Sequence, residues 1–323
     1  MFAVLILLFA MGQLIHAQDA PQPQRAPGLQ QKPASPSTSS STPAQPSPAP
    51  AQPAAAAEQS AAKKPEDIIP VGAQRHFHQA ISFEREGNAE NSILEYQAAI
   101  KEYPDYFEAY YNLGRLYLDR QGYSEAIAEL KAAVRIRPDD ANAHNNLGLA
   151  LKHNRDLTGA LTEYREAVRL NPKMASAQNN LANVLYVRRD YNGAIQHYKA
   201  ALELEPKSAE THMNLGSVLD DAGRPDEAII EYKEALKLQP KNASAHYNLS
   251  IVYQKKKDMP TAIAELREAT KLSPDWPTPH IMLTNLLKDS DPKSALDECI
   301  VADGLTHDAK LHDECQELQK KTR

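Results

Sequence analysis

The sequence predicts an all-α fold, a solenoid of about six to seven stacked helix hairpins with a C-terminal capping helix, preceded by a disordered linker. Six prolines recur at a constant spacing of 34 residues: Pro104, Pro138, Pro172, Pro206, Pro240 and Pro274. A fixed period of that length is typical of a repeat array. Between the prolines, apolar and small residues recur at spacings of three, four and seven, which are helical spacings.

Residues 1–17 are predicted to be a secretory signal peptide. Residues 2–15 are almost wholly apolar, and Ala17 offers a small side chain before a cleavage point at Gln18. The apolar run is shorter than the roughly 20 residues that a spanning helix needs. A signal peptide usually has a basic residue before its apolar run, and here no Lys or Arg precedes it. We therefore expect a secreted or periplasmic protein, with a membrane tether through uncleaved residues 2–15 as the alternative.

Residues 18–68 are predicted to be a disordered linker. This segment consists largely of Pro, Ala, Gln and Ser, and it has hardly any large apolar side chain to offset the entropy of ordering. A passive spacer is the favoured interpretation, and a ligand for proline-recognition domains is the alternative.

Residues 69–323 are predicted to form the solenoid. Breaks in the helical pattern at Gly122, Arg189 and Gly223 divide the blocks into two helices each. A small residue in each first helix, such as Gly148, lets the second helix approach closely. The complete blocks are 73–106, 107–140, 141–174, 175–208, 209–242 and 243–276, and residues 277–323 form a degenerate repeat and cap.

The repeated motif resembles that of the tetratricopeptide repeat family. In the second block it reads Tyr110, Leu113, Gly114, Tyr117, Ala126, Leu130, Ala133 and Pro138. The resemblance covers residues 73–288 and implies a right-handed superhelix whose first helices line a concave groove. The first block departs from the motif with Gln79-Ala80 in place of Leu-Gly, and the seventh is one residue short. Irregular ends suit a solenoid, because its terminal repeats act as caps.

The C-terminal cap contains the only two cysteines, Cys299 and Cys315. Helices are expected at 293–302 and 308–321, and a disulfide between them would staple a cap that has lost its repeat pattern. Simple hairpin counting places Cys299 opposite Leu311, one helical turn from Cys315. Because a bridge needs Cα atoms within about 7 Å, two unpaired thiols are favoured over the disulfide.

The resemblance implies a column of asparagines in the groove: Asn112, Asn146, Asn180, Asn214 and Asn248. An asparagine side chain offers both a donor and an acceptor, so such a column can pair with the backbone of an extended peptide. The array is similar to the asparagine ladder in the repeat arm of the O-linked N-acetylglucosamine transferase. Asparagine is also common at this position across the family, so inherited consensus is the alternative.

Selectivity would then come from side chains beside the asparagines. The apolar or aromatic anchors are expected to be Phe77, Tyr111, Met213 and Tyr247, and the charges would be set by Lys152, Asp220, Asp221 and Lys255. Each anchor is equally well explained as a residue that packs between repeats.

Several function classes are excluded by composition and motif. Acidic residues exceed basic ones by six, and the two signs alternate along the second helices, which disfavours nucleic-acid binding. The sequence lacks a phosphate-binding loop, a serine nucleophile motif and a His-Glu-x-x-His run. His144, His212, His246 and His280 fall at one packing position, so neither a metal nor another cofactor is expected.

The sequence therefore predicts a non-enzymatic scaffold that binds an extended segment of a partner protein in its groove. One alternative is a structural or assembly role in the cell envelope through the convex face or the ends. Another is a recognition arm for a separate glycosyltransferase-type enzyme. The sequence sets neither the partner nor the oligomeric state.

Overall fold

The computed structural model describes residues 69–322, and this part of the chain contains fifteen α-helices and no strand. The predicted signal peptide and linker, residues 1–17 and 18–68, lie outside the described residues. None of the described helices is long and apolar enough to cross a bilayer.

The helices form seven consecutive hairpins and a final helix. The first helices are α1 Val71–Arg85, α3 Phe107–Asp119, α5 Ala141–His153, α7 Ala175–Val187, α9 Ala209–Asp221, α11 Ala243–Lys255 and α13 Pro277–Leu287. The second helices are α2 Ala89–Glu102, α4 Tyr123–Ile136, α6 Leu157–Leu170, α8 Tyr191–Leu204, α10 Pro225–Leu238, α12 Met259–Leu272 and α14 Pro292–Thr306. Helix α15, Ala309–Lys321, follows.

Nine of the fifteen described helices begin at a polar side chain that caps free backbone N–H groups. Asp156 accepts a hydrogen bond from the N–H of Gly159 at 2.8 Å, and Asp190 accepts one from Gly193 at 3.0 Å. A cap of this kind is worth about 1 kcal/mol. The hairpin boundaries are therefore specified by these local caps as well as by the period of the hydrophobic residues.

Each hairpin closes on a small residue in the first helix and a large one in the second. A Cβ atom at Gly148 would lie 2.8 Å from Cδ1 of Tyr164, and one at Gly216 would lie 2.8 Å from Cε1 of Tyr232. Both tyrosines are buried. The close approach predicted from the small residues is therefore present, and it leaves no room for a larger side chain.

The turns inside the first six hairpins use one left-handed residue each. That residue is Gly87, Gln121, Arg155, Arg189, Gly223 or Lys257, with φ between 61° and 74°. The sequence placed the break of the second block at Gly122, but Gln121 takes the left-handed conformation and Gly122 caps α4 at φ −81°. Gly122 is therefore a helix start, not the residue that reverses the chain.

Successive first helices contact each other along the array, α3 with α5, α5 with α7, α7 with α9 and α9 with α11. All other major helix contacts join neighbours in the chain. The first helices therefore share one side of the stack and form a continuous surface along the array.

The C-terminal cap differs from the prediction in two respects. Helix α14 continues to Thr306, beyond the expected end at residue 302, because His307 then turns the chain at φ 53°. Cys299 and Cys315 form a disulfide with Cα atoms 5.6 Å apart, so the favoured expectation of two thiols is wrong. Hairpin counting was right that Cys299 faces Leu311, whose carbonyl oxygen lies 3.8 Å from Sγ. The flexible side chains span the remaining turn.

Candidate functional site

The predicted asparagine column lies on the first helices of five consecutive hairpins. Its members are Asn112 on α3, Asn146 on α5, Asn180 on α7, Asn214 on α9 and Asn248 on α11. All five side chains are half-buried. The column is therefore part of the surface formed by the first helices, which we call the groove.

Neighbouring repeats hold three of these side chains in place. The Nδ2 group of Asn146 donates to the Tyr111 hydroxyl at 3.1 Å, and that of Asn180 donates to Oδ1 of Asn145 at 3.0 Å. The Nδ2 group of Asn214 donates more weakly to Oδ1 of Asn183, at 3.4 Å. Each of these bonds uses one of the two amide N–H groups, so the carbonyl oxygen and the second N–H are the groups that a ligand would address.

The two outer asparagines lie beside tyrosine hydroxyls. Burial raises the pKa of Tyr96 and Tyr232, and hydrogen bonding to Asn112 and Asn248 respectively opposes that rise. The amide groups of Asn112 and Asn248 thus serve as hydrogen-bond partners for the buried hydroxyls of Tyr96 and Tyr232.

Three further asparagines, Asn145, Asn179 and Asn183, belong to the same polar surface and were missed by the sequence reasoning. Asn179 accepts a hydrogen bond from Thr211 Oγ1 at 3.3 Å, and Asn183 accepts one from the Tyr198 hydroxyl. The paired asparagines 145–146 and 179–180 were the available signal. The amide groups are therefore concentrated in the central repeats.

The predicted anchors also take part in packing. Tyr111 stacks on Phe107 with ring centroids 5.8 Å apart, and Tyr247 packs on Trp276 at 4.7 Å. Met213 is half-buried against the central core. Phe77 packs against Tyr106 at 4.9 Å. The exposed part of each residue is what remains for a ligand.

Most charged groups along the groove are paired within the protein. Arg115 pairs with Glu84, and Lys255 pairs with Asp220 at 2.6 Å. Asp221 accepts a hydrogen bond from the Tyr186 hydroxyl at 2.7 Å. Lys152 is half-buried on α5 and has no ion pair within 4.0 Å among the described residues. The paired charges connect neighbouring repeats, whereas Lys152 makes no such pair with any described residue.

The repeated histidines join the two helices of a hairpin. Nδ1 of His144 lies 2.6 Å from Oε2 of Glu163, and its Nε2 lies 3.0 Å from the carbonyl oxygen of Pro138. Equivalent pairs, at 2.5–2.7 Å, are His76–Glu95, His212–Glu231, His246–Glu265 and His280–Glu298. Within residues 69–322 no group of three or more His, Cys, Asp or Glu side chains is arranged to hold a metal ion.

In the fourth hairpin Gln178 takes the histidine's place. Its Nε2 donates to the Pro172 carbonyl at 2.9 Å, and its Oε1 accepts from His197 Nδ1 at 2.7 Å. In the second hairpin the place is taken by Tyr110, and there burial raises the pKa of Glu129. Where a histidine or Gln178 occupies it, the position is therefore a hydrogen-bonding link between the two helices of a hairpin.

The hairpin stack and its polar groove define the class of protein: an α-solenoid that serves as a protein-interaction scaffold. The sequence pattern of the tetratricopeptide repeat matches five overlapping stretches, 77–141, 111–175, 145–209, 179–242 and 213–277. These stretches span more than half of the chain. The chain belongs to the tetratricopeptide repeat family.

Solved structures share this fold. A tetratricopeptide repeat protein from Parabacteroides merdae has a TM-score of 0.57 at 15% identity, covering 76% of this chain and 98% of its own. Pseudomonas aeruginosa pilF has a TM-score of 0.56 at 23% identity, covering 65% and 96%. YrrB, described as having an unusual peptide-binding site, has a TM-score of 0.52 at 23% identity, covering 60% and 97%. No curated protein matches the sequence.

Proposed function

We propose that this protein binds an extended segment of a partner protein in the groove, with the asparagine column pairing with the partner's backbone. The observation that supports this proposal is the arrangement of the central amides. Asn146 and Asn180 are oriented by bonds to the preceding repeat, at 3.1 and 3.0 Å, that leave their carbonyl oxygens for a ligand. Preorganised side chains lose less entropy when a ligand binds.

The asparagines alone would not give tight binding. A hydrogen bond contributes about 0.5–1.5 kcal/mol net, whereas association costs roughly 4–15 kcal/mol. Aromatic anchors are the usual source of the remaining free energy. The exposed edges of Tyr111, Met213 and Tyr247 are suited to that role.

The test is selection of binders from a random peptide library with the purified protein and with an Asn146→Ala, Asn180→Ala, Asn214→Ala variant. Asn192→Ala on α8, at an exposed site on a second helix, is the matched control. We expect peptides that bind the wild-type and control proteins and lose at least about tenfold in affinity for the triple variant. Equal binding by all three proteins, with unchanged circular dichroism, would place the function on another surface.

We also propose that the protein is exported, as a secreted or periplasmic protein, on the basis of apolar residues 2–15 and the small Ala17. Mass spectrometry of the mature N-terminus should find Gln18. A chain that keeps residues 2–15 and sediments with membranes would instead support the tethered alternative.

A second candidate function is assembly through the ends of the solenoid. Helix α14 exposes three apolar side chains, Ile300 at 55%, Val301 at 42% and Leu305 at 40%. An envelope assembly factor would use such a surface for association, and Ile300→Ser with Leu305→Ser would then abolish it while the groove variant would not. The role of recognition arm for a glycosyltransferase-type enzyme would require that an enzyme co-purifies with the chain.

A further inference from the structure

The central groove contains a cation for which the described residues supply no ion pair. Lys152 is half-buried on α5, and burial lowers the pKa of its ammonium group, although the charge of Glu210 acts in the opposite direction. Glu210 does not come within the 4.0 Å of an ion pair. A partly buried charge without a partner is unfavourable. The free protein thus holds a cation that an anionic ligand would stabilise.

A buried hydroxyl without a hydrogen bond belongs to the same repeat. Tyr164 is fully buried, and its hydroxyl has no hydrogen-bond partner. Its equivalents are all bonded: Tyr96 donates to Glu84 at 3.0 Å, Tyr198 donates to Asn183, and Tyr232 meets Ser217 at 3.0 Å. A buried polar group with no partner costs about 1–3 kcal/mol.

Repeat equivalence relates the two features. Glu84, which accepts the bond from Tyr96, stands at the repeat position of Lys152, and Asn183 and Ser217 stand at that of Leu149. By repeat equivalence, Leu149 and Lys152 stand where the other tyrosines find their partners, and neither side chain can accept the proton of the Tyr164 hydroxyl. In other repeats the hydroxyl also approaches the asparagine of the next repeat, which here is Asn180.

We propose that Lys152, Tyr164 and Asn180 form a subsite for one carboxylate of the bound segment; this inference rests on the proposed groove function. An ammonium, a hydroxyl and an amide all supply donors, and a carboxylate supplies only acceptors. When the ligand binds, the flexible Lys152 side chain would turn toward it and thereby expose the Tyr164 hydroxyl that lies beneath. Because Glu210 lies close enough to influence Lys152, its negative charge disfavours a second acidic group. The subsite selects a single carboxylate within an otherwise neutral segment.

The experiment uses the peptides selected on the wild-type protein. Each peptide is synthesised with its acidic residues as Asp or Glu, or as Asn or Gln, and with a free or amidated C-terminus. Binding is measured by fluorescence polarisation to the wild-type protein, to Lys152→Gln, and to the control Lys131→Gln, which alters an exposed lysine of α4. The peptide series distinguishes a side-chain carboxylate from a terminal one.

We expect that removing one carboxylate weakens binding to the wild-type and control proteins about tenfold and has no effect on binding to Lys152→Gln. Tyr164→Phe should weaken binding of the acidic peptide while raising thermal stability, because it removes a buried hydroxyl that has no hydrogen-bond partner in the free protein.

Three outcomes would overturn parts of the proposal. If the selected peptides depend on the asparagine column but bind equally well without any carboxylate, the subsite is wrong and the groove function stands. If no peptide depends on the asparagine column, both fail. Unchanged acidic-peptide binding by Tyr164→Phe would overturn the role of the hydroxyl.

Discussion

At the scale of single residues, His144 shows how a side chain's protonation state follows from its neighbours. Its two ring nitrogens face Oε2 of Glu163 and the carbonyl oxygen of Pro138, both of which only accept hydrogen bonds. A neutral imidazole has one donor, whereas an imidazolium has two. The site therefore favours the cation. The hydrogen bond to Glu163 accordingly raises the pKa of His144 above its ordinary value of 6.5, against the opposing effect of burial.

This pKa shift predicts a pH-dependent stability. Since the pKa of His144 is raised on folding, its stabilising contribution is fully present below about pH 6.5 and is lost as pH rises through the folded-state value. We expect the free energy of unfolding, measured with urea, to fall as pH rises from about 6 to 8. His144→Gln should cost about 1.5–3 kcal/mol at the lower pH, as expected for a lost charge-assisted bond, and less at the higher pH.

The fourth hairpin supplies the control for that measurement. Gln178 and His197 make the same link with a neutral amide and a single histidine donor, and burial lowers the pKa of His197. The double variant His144→Gln, Glu163→His should therefore recover stability at pH 8 relative to His144→Gln alone and reduce the pH dependence. A double variant no more stable than the single one would contradict this account.

Residue identity predicted the position of the histidines but not their partners. The repeat pattern predicts a packing role for His144, because Tyr110 and Gln178 stand at the same place in sister repeats. The glutamate 19 residues further on was an available signal. The bonds of Asn145 and Asn183 depend on side-chain rotamers at the junction of two repeats, and a repeating pattern carries no information about those rotamers.

At the scale of helices and turns, the sequence predicted the fold well because most of the boundaries are specified by local signals. Periodic apolar residues, caps such as Asp156 and Asp190, and the small residues at the crossing all agree, and such agreement is typical of a foldable sequence. The prediction weakened where these signals stop. After residue 289 the period slips by one, and the end of α14 was placed four residues early because His307 gives no standard turn signal.

The left-handed turn positions predict effects of different size for two substitutions. Gly223 has φ 74°, so Gly223→Ala should destabilise the protein by about 1 kcal/mol. Arg189 adopts φ 63° with a side chain, so Arg189→Gly should relieve strain and change stability by less than about 1 kcal/mol, since the unfolded chain gains entropy. Thermal unfolding of both variants is the measurement. A larger loss for Arg189→Gly would show that its side chain matters more than its backbone.

The close crossing of the two helices in a hairpin limits the size of the side chain at the small position of the first helix. Gly148→Leu should cost roughly 1–3 kcal/mol through overpacking against Tyr164, because a Cβ alone would already lie 2.8 Å from the ring. Gly148→Ala should cost less, since Ala182 occupies the equivalent position beneath Tyr198. Urea denaturation would rank the two variants, and an equal cost would argue against a steric origin.

At the scale of the whole described array, each hairpin contacts mainly its neighbours, so stability is close to a sum over hairpins and the interfaces between them. The disulfide acts at one end of this series. The seventh hairpin has lost its aromatic packing residue: Cys299 stands where the third and fourth hairpins have Tyr164 and Tyr198. Cys299 is fully buried there, and its disulfide links α14 to α15.

Reduction of the disulfide should loosen the cap alone. For a loop of 16 residues the chain-entropy estimate is about 3 kcal/mol. We expect faster amide hydrogen exchange in α14 and α15 after treatment with a reductant, with little change in α5 to α10. Faster exchange throughout the array would contradict nearest-neighbour stability.

The asymmetry between the two ends has a mechanical consequence. At the C-terminal end a covalent bond ties the capping helix α15 to α14, whereas α1 and α2 are held by noncovalent packing and by the His76–Glu95 link at 2.5 Å. A linear stack yields from its weaker end, so tension applied across the array should peel hairpins sequentially from α1 toward α13. Under tension the solenoid should therefore unfold in one direction, and its length should increase in a series of nearly equal steps, one for each hairpin.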